Sequence, residues 1–218
     1  MIALSIDLHM LAEVTPEAIP VDSQRVGPTA QALGEGFHDD EIWVWLIPRA
    51  WQLRRVLPRY YEALIRLTFI PRGAAWTTTD AAGGALWFPP GTANQSPREQ
   101  LRTGMALRPE GAGSLVKGLR WERLIHDNLP PHPHWRLNSL AVKPSAQRSG
   151  IGTTLMAPGL HQADADRVGC YLETQRRSNI PFYRRFGFEE IGELSLPRSP
   201  SVWQMWRPGT SGVANPRS

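Results

Sequence analysis

The chain has little cysteine, and this shortage limits its chemistry. Cys170 is the single cysteine among 218 residues, so an internal disulfide is excluded. Cys170 lies within an apolar strand pattern, which is typical of a buried, reduced thiol rather than of a nucleophile. We therefore expect a cytoplasmic protein.

Long hydrophobic runs are missing as well. No stretch reaches the roughly 18 apolar residues that a membrane-spanning helix needs. Residues 1–10 are interrupted by Asp7 and show neither the basic leader nor the small-residue cleavage site of a secretory signal. We expect neither export nor membrane insertion.

Charge of one sign is not concentrated anywhere in the sequence. The 24 Lys and Arg residues exceed the 20 Asp and Glu residues enough to give a net charge of +4, but they are scattered along the chain. Nucleic-acid binding usually requires a basic patch, so the sequence does not indicate it. A small positive balance also suits a ligand that carries several phosphates.

The length suits one domain. With 41% hydrophobic residues, the chain can fill one full core but not two. We expect a single domain over residues 1–207, in which 1–20 are hard to assign, and a flexible tail over 208–218, which is rich in Gly, Pro and Ser. Imposing the pattern of the family named below would place a first strand at residues 11–15.

Apolar spacing and turn residues predict several elements before residue 130. Helices are predicted from an Asp22 cap to Gly36, over 49–68 despite Pro58, and over 96–107 and 113–129. A hairpin is predicted from strands at 74–79 and 85–88.

The most informative segment is residues 135–152. An apolar run at 137–142 leads through Lys143-Pro144 into the turn Gln147-Arg148-Ser149-Gly150-Ile151-Gly152. The glycines let the backbone approach a ligand, and a helix beginning at Ile151 would direct unpaired N–H groups at an anion such as pyrophosphate. The alternative is an ordinary glycine-rich turn from strand to helix.

Two other phosphate-binding motifs do not fit this turn. Gly152 is followed by Thr153-Thr154 rather than by the Lys and Ser/Thr of a Walker loop. The third glycine of a Rossmann fingerprint is also missing.

A second segment, residues 170–188, reads as a strand, a short helix and another strand. Asn179 is placed to cap the helix, Pro181 suits its first turn, and Gly187 lies where it would end.

In this order and at this separation, the two segments resemble the GNAT superfamily of acetyl-CoA-dependent N-acetyltransferases over about residues 20–207. Leu-Glu-Thr at 172–174, Asn-x-Pro-Phe-Tyr-x-Arg-x-Gly-Phe at 179–188 and Trp-Gln-Met at 203–205 are most similar to the puromycin N-acetyltransferase branch. The resemblance implies an α/β, GNAT-like fold with a mixed central sheet of about six to seven strands, splayed at the cofactor site and flanked by helices. It also implies acetyl-CoA as cosubstrate, no metal, and direct transfer of acetyl to a small-molecule amine by a monomer or homodimer.

The resemblance also implies how acetyl-CoA is held. In the family, the strand before the glycine turn has a bulge and splays from its neighbour, so its backbone pairs with the pantetheine arm. Leu140, Ala141 and Val142 match that strand, and the Val142 N–H is the expected oxyanion donor. The remaining expected cofactor contacts are Gln147, Arg148, Ser149, Gly150, Ile151, Gly152, Thr153, Asn179 and Tyr183; for Asn179 the alternative is simple helix capping.

Tyr183 is the candidate general acid. Its phenol, with a reference pKa near 10, stays protonated at neutral pH and can protonate a departing thiolate. The alternative is a core aromatic between Phe182 and Phe186.

Glu173 is the candidate general base, because it ends an apolar strand where burial would raise its pKa. The alternative is a carboxylate that orders the acceptor or pairs with Arg176, while water takes the proton. The acids at 39–41 could contact a cationic acceptor, but they also fit a solvated loop, and we rank them below Glu173.

Histidines and aromatic residues add two weaker signals. His132 and His134 lack the companion ligands of a zinc site, so no metal is expected. Aromatic residues are frequent in the half of the chain that shapes the acceptor pocket in the resembled family, namely Trp43, Trp45, Trp51, Tyr60, Tyr61, Trp76, Trp87 and Trp121. Most are expected in the core, although some could line a pocket for a bulky amine.

The leading hypothesis is an acetyltransferase that acts on a primary amine, with an antibiotic or aminoacyl-nucleoside amine among the possible acceptors. Two other classes stay open. One is a non-catalytic CoA-binding sensor or interaction module. The other is a nucleic-acid-binding protein, whose affinity would fall steeply with salt.

Overall fold

The computed structural model describes residues 16–92, 94–107 and 112–210. The predicted strand at 11–15 and most of the predicted tail at 208–218 lie outside these ranges. The division into a domain over 1–207 and a tail stays a prediction.

A mixed sheet forms the centre of the fold. Its strands are β1 (Ala18–Pro20), β2 (Ala75–Thr78), β3 (Gly83–Phe88), β4 (His134–Val142), β5 (Gly169–Thr174), β6 (Glu189–Leu194) and β7 (Val202–Arg207). Over the described ranges these seven strands lie in the order β1-β2-β3-β4-β5-β7-β6. β4 and β5 run parallel, and the other neighbours are antiparallel. The predicted α/β fold with a mixed central sheet of six to seven strands is confirmed.

Helices flank the sheet. They are α1 (Val26–Gly36), α2 (Glu41–Leu46), α3 (Ala50–Leu64), α4 (Pro97–Met105), α5 (Ala112–Asp127), α6 (Ile151–Ala165) and α7 (Ile180–Arg184). The predicted helix over 49–68 is α3 together with the π-helical turn Ile65–Phe69, and it contains Pro58 as expected. In the described ranges, no helix is both long and apolar enough to cross a membrane.

Two predicted helix caps are wrong. Asp22 accepts hydrogen bonds from the backbone N–H groups of Gln24 and Arg25, so it stabilises the turn before α1 rather than α1 itself, which begins at Val26. Asn179 precedes α7 but forms no side-chain capping bond.

Strand β3 shows how the two faces of the sheet are filled. The indole of Trp87 packs with Leu155 and Met156 of α6 on one face. Leu86 and Phe88 belong to the cluster of α1 and α3 on the other face. Successive side chains of a strand point to opposite faces, so the apolar residues of β3 pack into the hydrophobic clusters on both faces of the sheet.

The parallel strands β4 and β5 separate partway along their length. Their pairing ends at Leu137 and Leu172. Beyond that point β4 continues along β3 to Val142, and β5 continues along β7 to Thr174. A gap therefore opens between two strands in the middle of the sheet, as the resemblance implied.

A bulge marks the point where the strands separate. Leu86 pairs with Ser139 but Trp87 pairs with Leu137, so Asn138 is an extra residue in β4. Such bulges bend and twist a strand. The bend turns the end of β4 away from β5.

Replacing Gly159 with alanine should destabilise the protein. A Cβ at Gly159 would lie 2.3 Å from Cε2 of the Trp87 ring, and overpacking of this kind costs about 1–3 kcal/mol. The matched control is Gly118→Ala in α5, where a Cβ would meet nothing within 4 Å and a gain of about 1 kcal/mol is expected. Urea unfolding measures both, and equal free energies of unfolding would contradict close packing of α6 on Trp87.

Candidate functional site

A cavity of about 720 Å³ extends into the gap between β4 and β5. One end is formed by the glycine turn and α7, and the other by α2, α3 and α5. Within this one cavity the structure brings together all the predicted catalytic residues and nearly all the predicted cofactor contacts. The lining includes Leu140, Ala141, Val142, Gln147, Arg148, Gly150, Gly152, Thr153, Glu173, Asn179 and Tyr183.

The backbone of β4 is oriented by its pairing with β3. The Lys143 N–H donates to the Ala82 carbonyl at 2.9 Å, and directly opposed residues of an antiparallel pair alternate between bonded and non-bonded pairs. By this alternation, the peptide groups of Val142 and Leu140 point away from β3, toward the gap. The Val142 carbonyl accordingly accepts a bond from the Gln147 side chain at 3.1 Å.

Ala141 differs from its two neighbours. In the same alternation its peptide groups face Gly84 of β3, and its side chain is buried in the cluster of α1 and α3. Sequence reasoning grouped Ala141 with Leu140 and Val142. In the structure, only the backbone groups of Leu140 and Val142 face the gap.

The glycine turn begins α6 as predicted. Gly150 occupies the cap position with φ of +86°, and Arg148 also has a positive φ of +64°. The first N–H groups of a helix have no partner within it, so those of Ile151, Gly152 and Thr153 are open to a ligand. Ser149 is turned the other way, since its hydroxyl donates to the Ala146 carbonyl at 2.6 Å.

Tyr183 lies on α7, where it is buried in the core and also lines the cavity. Its ring packs edge-on against Phe182 and Phe188, while its phenol forms no hydrogen bond to any residue that the structure describes. Burial and, to a lesser extent, the charge of Asp40 raise the pKa of the Tyr183 phenol. The group is therefore protonated at neutral pH.

Glu173 has a partner that sequence reasoning did not find. Its Oε2 accepts from Nε and Nη2 of Arg136, both at 3.3 Å, and both side chains are more than nine-tenths buried. Arg176, the expected partner, instead pairs with Asp39 at 2.8 Å. A sequence signal for this pair existed: Arg136 and Glu173 each lie within an apolar strand pattern, and buried charges usually occur in pairs.

The buried Arg136 guanidinium is stabilised in its charged form by the acidic side chains beside it. Burial alone would lower the pKa of Arg136, but Glu173 and Glu122 outweigh burial and raise it. Arg136 also donates to the Asn94 amide oxygen at 2.8 Å. This network restrains Glu173, and its role as general base stays a prediction.

Two other carboxylates line the cavity, and sequence reasoning ranked one low and omitted the other. Asp40 is buried, and burial raises its pKa to about 6 against hydrogen bonds from the N–H groups of Trp43 and Ile42, which lower it. Glu122 faces the cavity from α5. The pKa of Glu122 is also raised, chiefly because the surrounding protein desolvates its carboxylate, although the residue is exposed to solvent at the cavity; Arg136 opposes this shift and Glu173 adds to it.

About half of the predicted pocket aromatics reach the cavity. Trp43, Tyr60, Tyr61 and Trp121 line it. Tyr60 and Tyr61 lie edge-on to each other at 5.4 Å between centroids, and Trp43 donates to the Tyr61 hydroxyl at 3.3 Å. The other four are placed elsewhere: Trp76 and Trp87 in the core, Trp51 exposed on the surface, and Trp45 against Trp121.

The weaker candidates are also located. Cys170 is fully buried, and this burial raises the pKa of its thiol to about 12, as expected of an inert thiol. His134 places Nδ1 2.6 Å from the His132 carbonyl. In the described part of the chain, no group of three His, Cys, Asp or Glu side chains is arranged to hold a metal.

Comparison with known proteins identifies the domain type. The family described as "Acetyltransferase (GNAT) domain" matches residues 110–190, which contain β4, the glycine turn, β5 and α7. A Schizosaccharomyces pombe protein described as uncharacterized N-acetyltransferase C550.08 is 24% identical over 82% of this chain and 76% of its own length.

Solved structures share the fold. A Corynebacterium glutamicum protein described as histone acetyltransferase HPA2 and related acetyltransferase aligns with a TM-score of 0.67 at 22% identity, covering 92% of this chain and 99% of its own. Arylalkylamine N-acetyltransferase 2 of Aedes aegypti aligns with a TM-score of 0.56 at 12% identity, over 88% and 98% of the two chains. At these identities the likeness establishes the GNAT fold.

Arg136→Met should be one of the most destabilising changes in the site. It leaves the Glu173 carboxylate buried without its partner, which costs about 3–5 kcal/mol. Adding Glu173→Gln should restore part of that loss, because the stranded charge is removed.

Urea unfolding of the single and double variants checks this expectation. The control is Arg66→Met, which breaks an ion pair with Glu62 whose side chains are nearly half exposed and should cost at most about 1 kcal/mol. Equal costs for Arg136→Met and Arg66→Met would argue against a buried ion pair.

Proposed function

For a chain that carries a GNAT-family acetyltransferase domain and is an acetyl-CoA-dependent acetyltransferase, we propose that the acceptor is the primary amine of a small molecule with a bulky apolar or aromatic group. The observation that carries the proposal is the single cavity in which the β4–β5 gap, the glycine turn, Tyr183 and an aromatic wall meet. Acetyl-CoA would supply the activated acetyl group.

The residues present fit acetyl-CoA. The open N–H groups after Gly150, at the positive end of the α6 dipole, suit its pyrophosphate, with Arg148 beside them. The peptide groups of Leu140 and Val142 suit the amides of the pantetheine arm. A β4 N–H facing the gap would stabilise the negative charge that develops on the thioester oxygen, a role typically worth about 3 kcal/mol.

Tyr183 is the proposed general acid. The amine nitrogen forms a bond to the acetyl carbon, the carbon–sulfur bond breaks, and the departing sulfur takes a proton from the phenol. The phenol is suited to this step because it is protonated and has no hydrogen-bond partner among the described residues. The nitrogen attacks as the neutral amine, after the ammonium ion has released one proton, and the proton that it loses on forming the amide returns to Tyr183 through water.

The wall opposite the glycine turn suggests the acceptor class. Trp43, Tyr60, Tyr61 and Trp121 form an apolar surface there, as expected for a bulky side group. Asp40, Glu122 and Glu173 all line the cavity; Arg136 is the counter-charge of Glu122 and Glu173, and Arg176 is that of Asp40. Three carboxylates against two guanidinium groups favour an amine that arrives as an ammonium ion. An acceptor of the kind taken by the puromycin N-acetyltransferase branch would fit this description.

Glu173 is proposed to order the acceptor rather than to deprotonate it. It forms a buried ion pair with Arg136 and lies one residue beyond the last β4–β5 pair, at the head of the gap. A fixed negative charge there would attract and orient the ammonium group.

Gly150→Glu should abolish acetyl-CoA binding. The change places bulk and negative charge where the pyrophosphate is proposed to bind, and we expect at least a tenfold loss of affinity, or about 1.4 kcal/mol. Isothermal titration of acetyl-CoA measures it.

Gly73→Glu is the matched control for this experiment. Gly73 also has a positive φ and open space around its Cα, so the strain and the charge change are alike, but it lies outside the cavity lining. Failure of the wild type to bind acetyl-CoA would refute the proposed function. Binding without transfer to any of a panel of primary amines would indicate a non-catalytic CoA-binding module.

Tyr183→Phe should lower kcat by about 10²–10⁴-fold while acetyl-CoA affinity stays unchanged, because only the proton donor is removed. Thiol release with 2-phenylethylamine as the amine measures kcat. Tyr171→Phe is the control: it removes another buried phenol, outside the cavity lining, which accepts from Gln204 at 2.6 Å and interacts with Glu173, and it should lower kcat far less than Tyr183→Phe. A kcat for Tyr183→Phe equal to that of the wild type would make Tyr183 a packing residue.

A further inference from the structure

The Asp40 side chain both caps a helix and lines the cavity. It is the N-cap of α2 and is 7% exposed, yet it lines the same cavity as Tyr183. Its charge acts on the phenols of both Tyr183 and Tyr61. A carboxylate placed this way faces the same cavity as Tyr183 while it caps its own helix.

The capping role occupies one carboxylate oxygen. Oδ1 accepts from the backbone N–H groups of Ile42 at 3.0 Å and Trp43 at 3.2 Å. Oδ2 forms no hydrogen bond within the described ranges, and it is absent from the buried polar atoms that lack a partner, so it is open to the cavity. One oxygen anchors the side chain while the other can meet a ligand.

The surroundings of Asp40 leave it able to take up a proton. The charged and titratable groups that act on it or respond to it are Arg176 from the segment after β5, Glu41 beside it, Tyr61 from α3 and Tyr183 from α7. Arg176 is engaged with Asp39. Glu173, by contrast, is held by a buried guanidinium.

We propose that Asp40 is the proton acceptor of the reaction, taking a proton at Oδ2 from the ammonium group of the acceptor before that nitrogen attacks. This inference rests on the proposed acetyl transfer. One N–H bond of the ammonium breaks, its electron pair stays on nitrogen to form the new bond to the acetyl carbon, and the carboxylic acid then releases its proton to solvent. The net reaction frees one proton, as the transfer of an acetyl group from a thioester to an ammonium ion requires.

The testing variant is Asp40→Asn, because Asn caps helices as well as Asp does. It keeps the Oδ1 bonds and removes the proton acceptor. Glu41→Gln is the matched control: it removes a neighbouring negative charge from an exposed side chain outside the cavity lining. Two amine probes of similar shape are used, 2-phenylethylamine and its weakly basic analogue 2,2-difluoro-2-phenylethylamine, which needs no base near neutral pH.

We expect Asp40→Asn to lower kcat/KM for 2-phenylethylamine by about 100-fold or more at pH 7. The decrease in kcat/KM for the fluorinated amine should be far smaller. The wild-type kcat/KM should rise as the pH rises through about 6, where Asp40 loses its proton. In Asp40→Asn this rise in kcat/KM near pH 6 should be absent, and kcat/KM should instead follow the fraction of the amine that is unprotonated. If the role of Asp40 were purely structural, Asp40→Asn would lower kcat/KM equally for both amines and would leave the pH dependence of kcat/KM unchanged.

The two failures are distinguishable. A wild type that binds no acetyl-CoA refutes the proposed function. A wild type that transfers acetyl, with Asp40→Asn giving the wild-type preference between amines and the wild-type pH profile, refutes the role of Asp40 and leaves the function intact.

A second readout needs no acceptor. The pKa of Asp40 is raised in the folded state, so its contribution to stability is present at low pH and is lost as the pH rises toward 6. The urea midpoint of the wild type should therefore fall relative to that of Asp40→Asn between pH 4 and 7, while Glu41→Gln follows the wild type. Parallel midpoints for the wild type and Asp40→Asn would overturn the assignment.

Discussion

The early end of the β4–β5 pairing is the constraint on which the site depends. After Leu137 and Leu172 each strand has a partner on one side only. The bulge at Asn138 makes this separation a fixed part of the sheet rather than a loss of order at its end. Because β3 and β7 keep both strands in place, the protein holds a slot open at its centre.

The ion pair of Arg136 and Glu173 lies where the strands begin to part. Arg136 is opposite Tyr171, and Glu173 lies two residues farther along β5, so the two side chains share a face of the sheet. Their bonds join β4 to β5 just where backbone bonds between the strands cease. An interaction that is costly to desolvate thus joins the two strands at the point where they part and places charges at the head of the slot.

Local signals made most of the fold and half of the site predictable. The glycine turn, Pro181 and Gly187 restrict the backbone where they stand, so the helix starting at Ile151 and the end of α7 followed from sequence. The apolar runs of β4 and β5 were equally clear. The resemblance supplied what no local pattern contains, namely that these two strands are neighbours that diverge.

The remaining features depend on contacts between distant segments. Glu173 and Arg136 are 37 residues apart; each is a charged residue in an apolar strand pattern, but only the pairing of β4 with β5 shows that they are partners. Asp40 belongs to an acidic run that is typical of a solvated loop, and only the packing of α2 against α3 and α5 turns it inward. Asn179 had the residue type of a helix cap but lies exposed at the cavity, which is the position its cofactor role would require.

The open slot also bears on how the protein behaves before it is loaded. Its walls are unsatisfied strand edges, the kind that other chains can pair with, but these are recessed within the molecule, where a stray strand has little access. The pantetheine arm of acetyl-CoA, an extended chain with amide groups, would under the proposed function act there as an additional strand. Occupancy would then raise the stability of the whole sheet by mass action, so the level of cosubstrate in the cell would help to set how long each copy of the protein lasts.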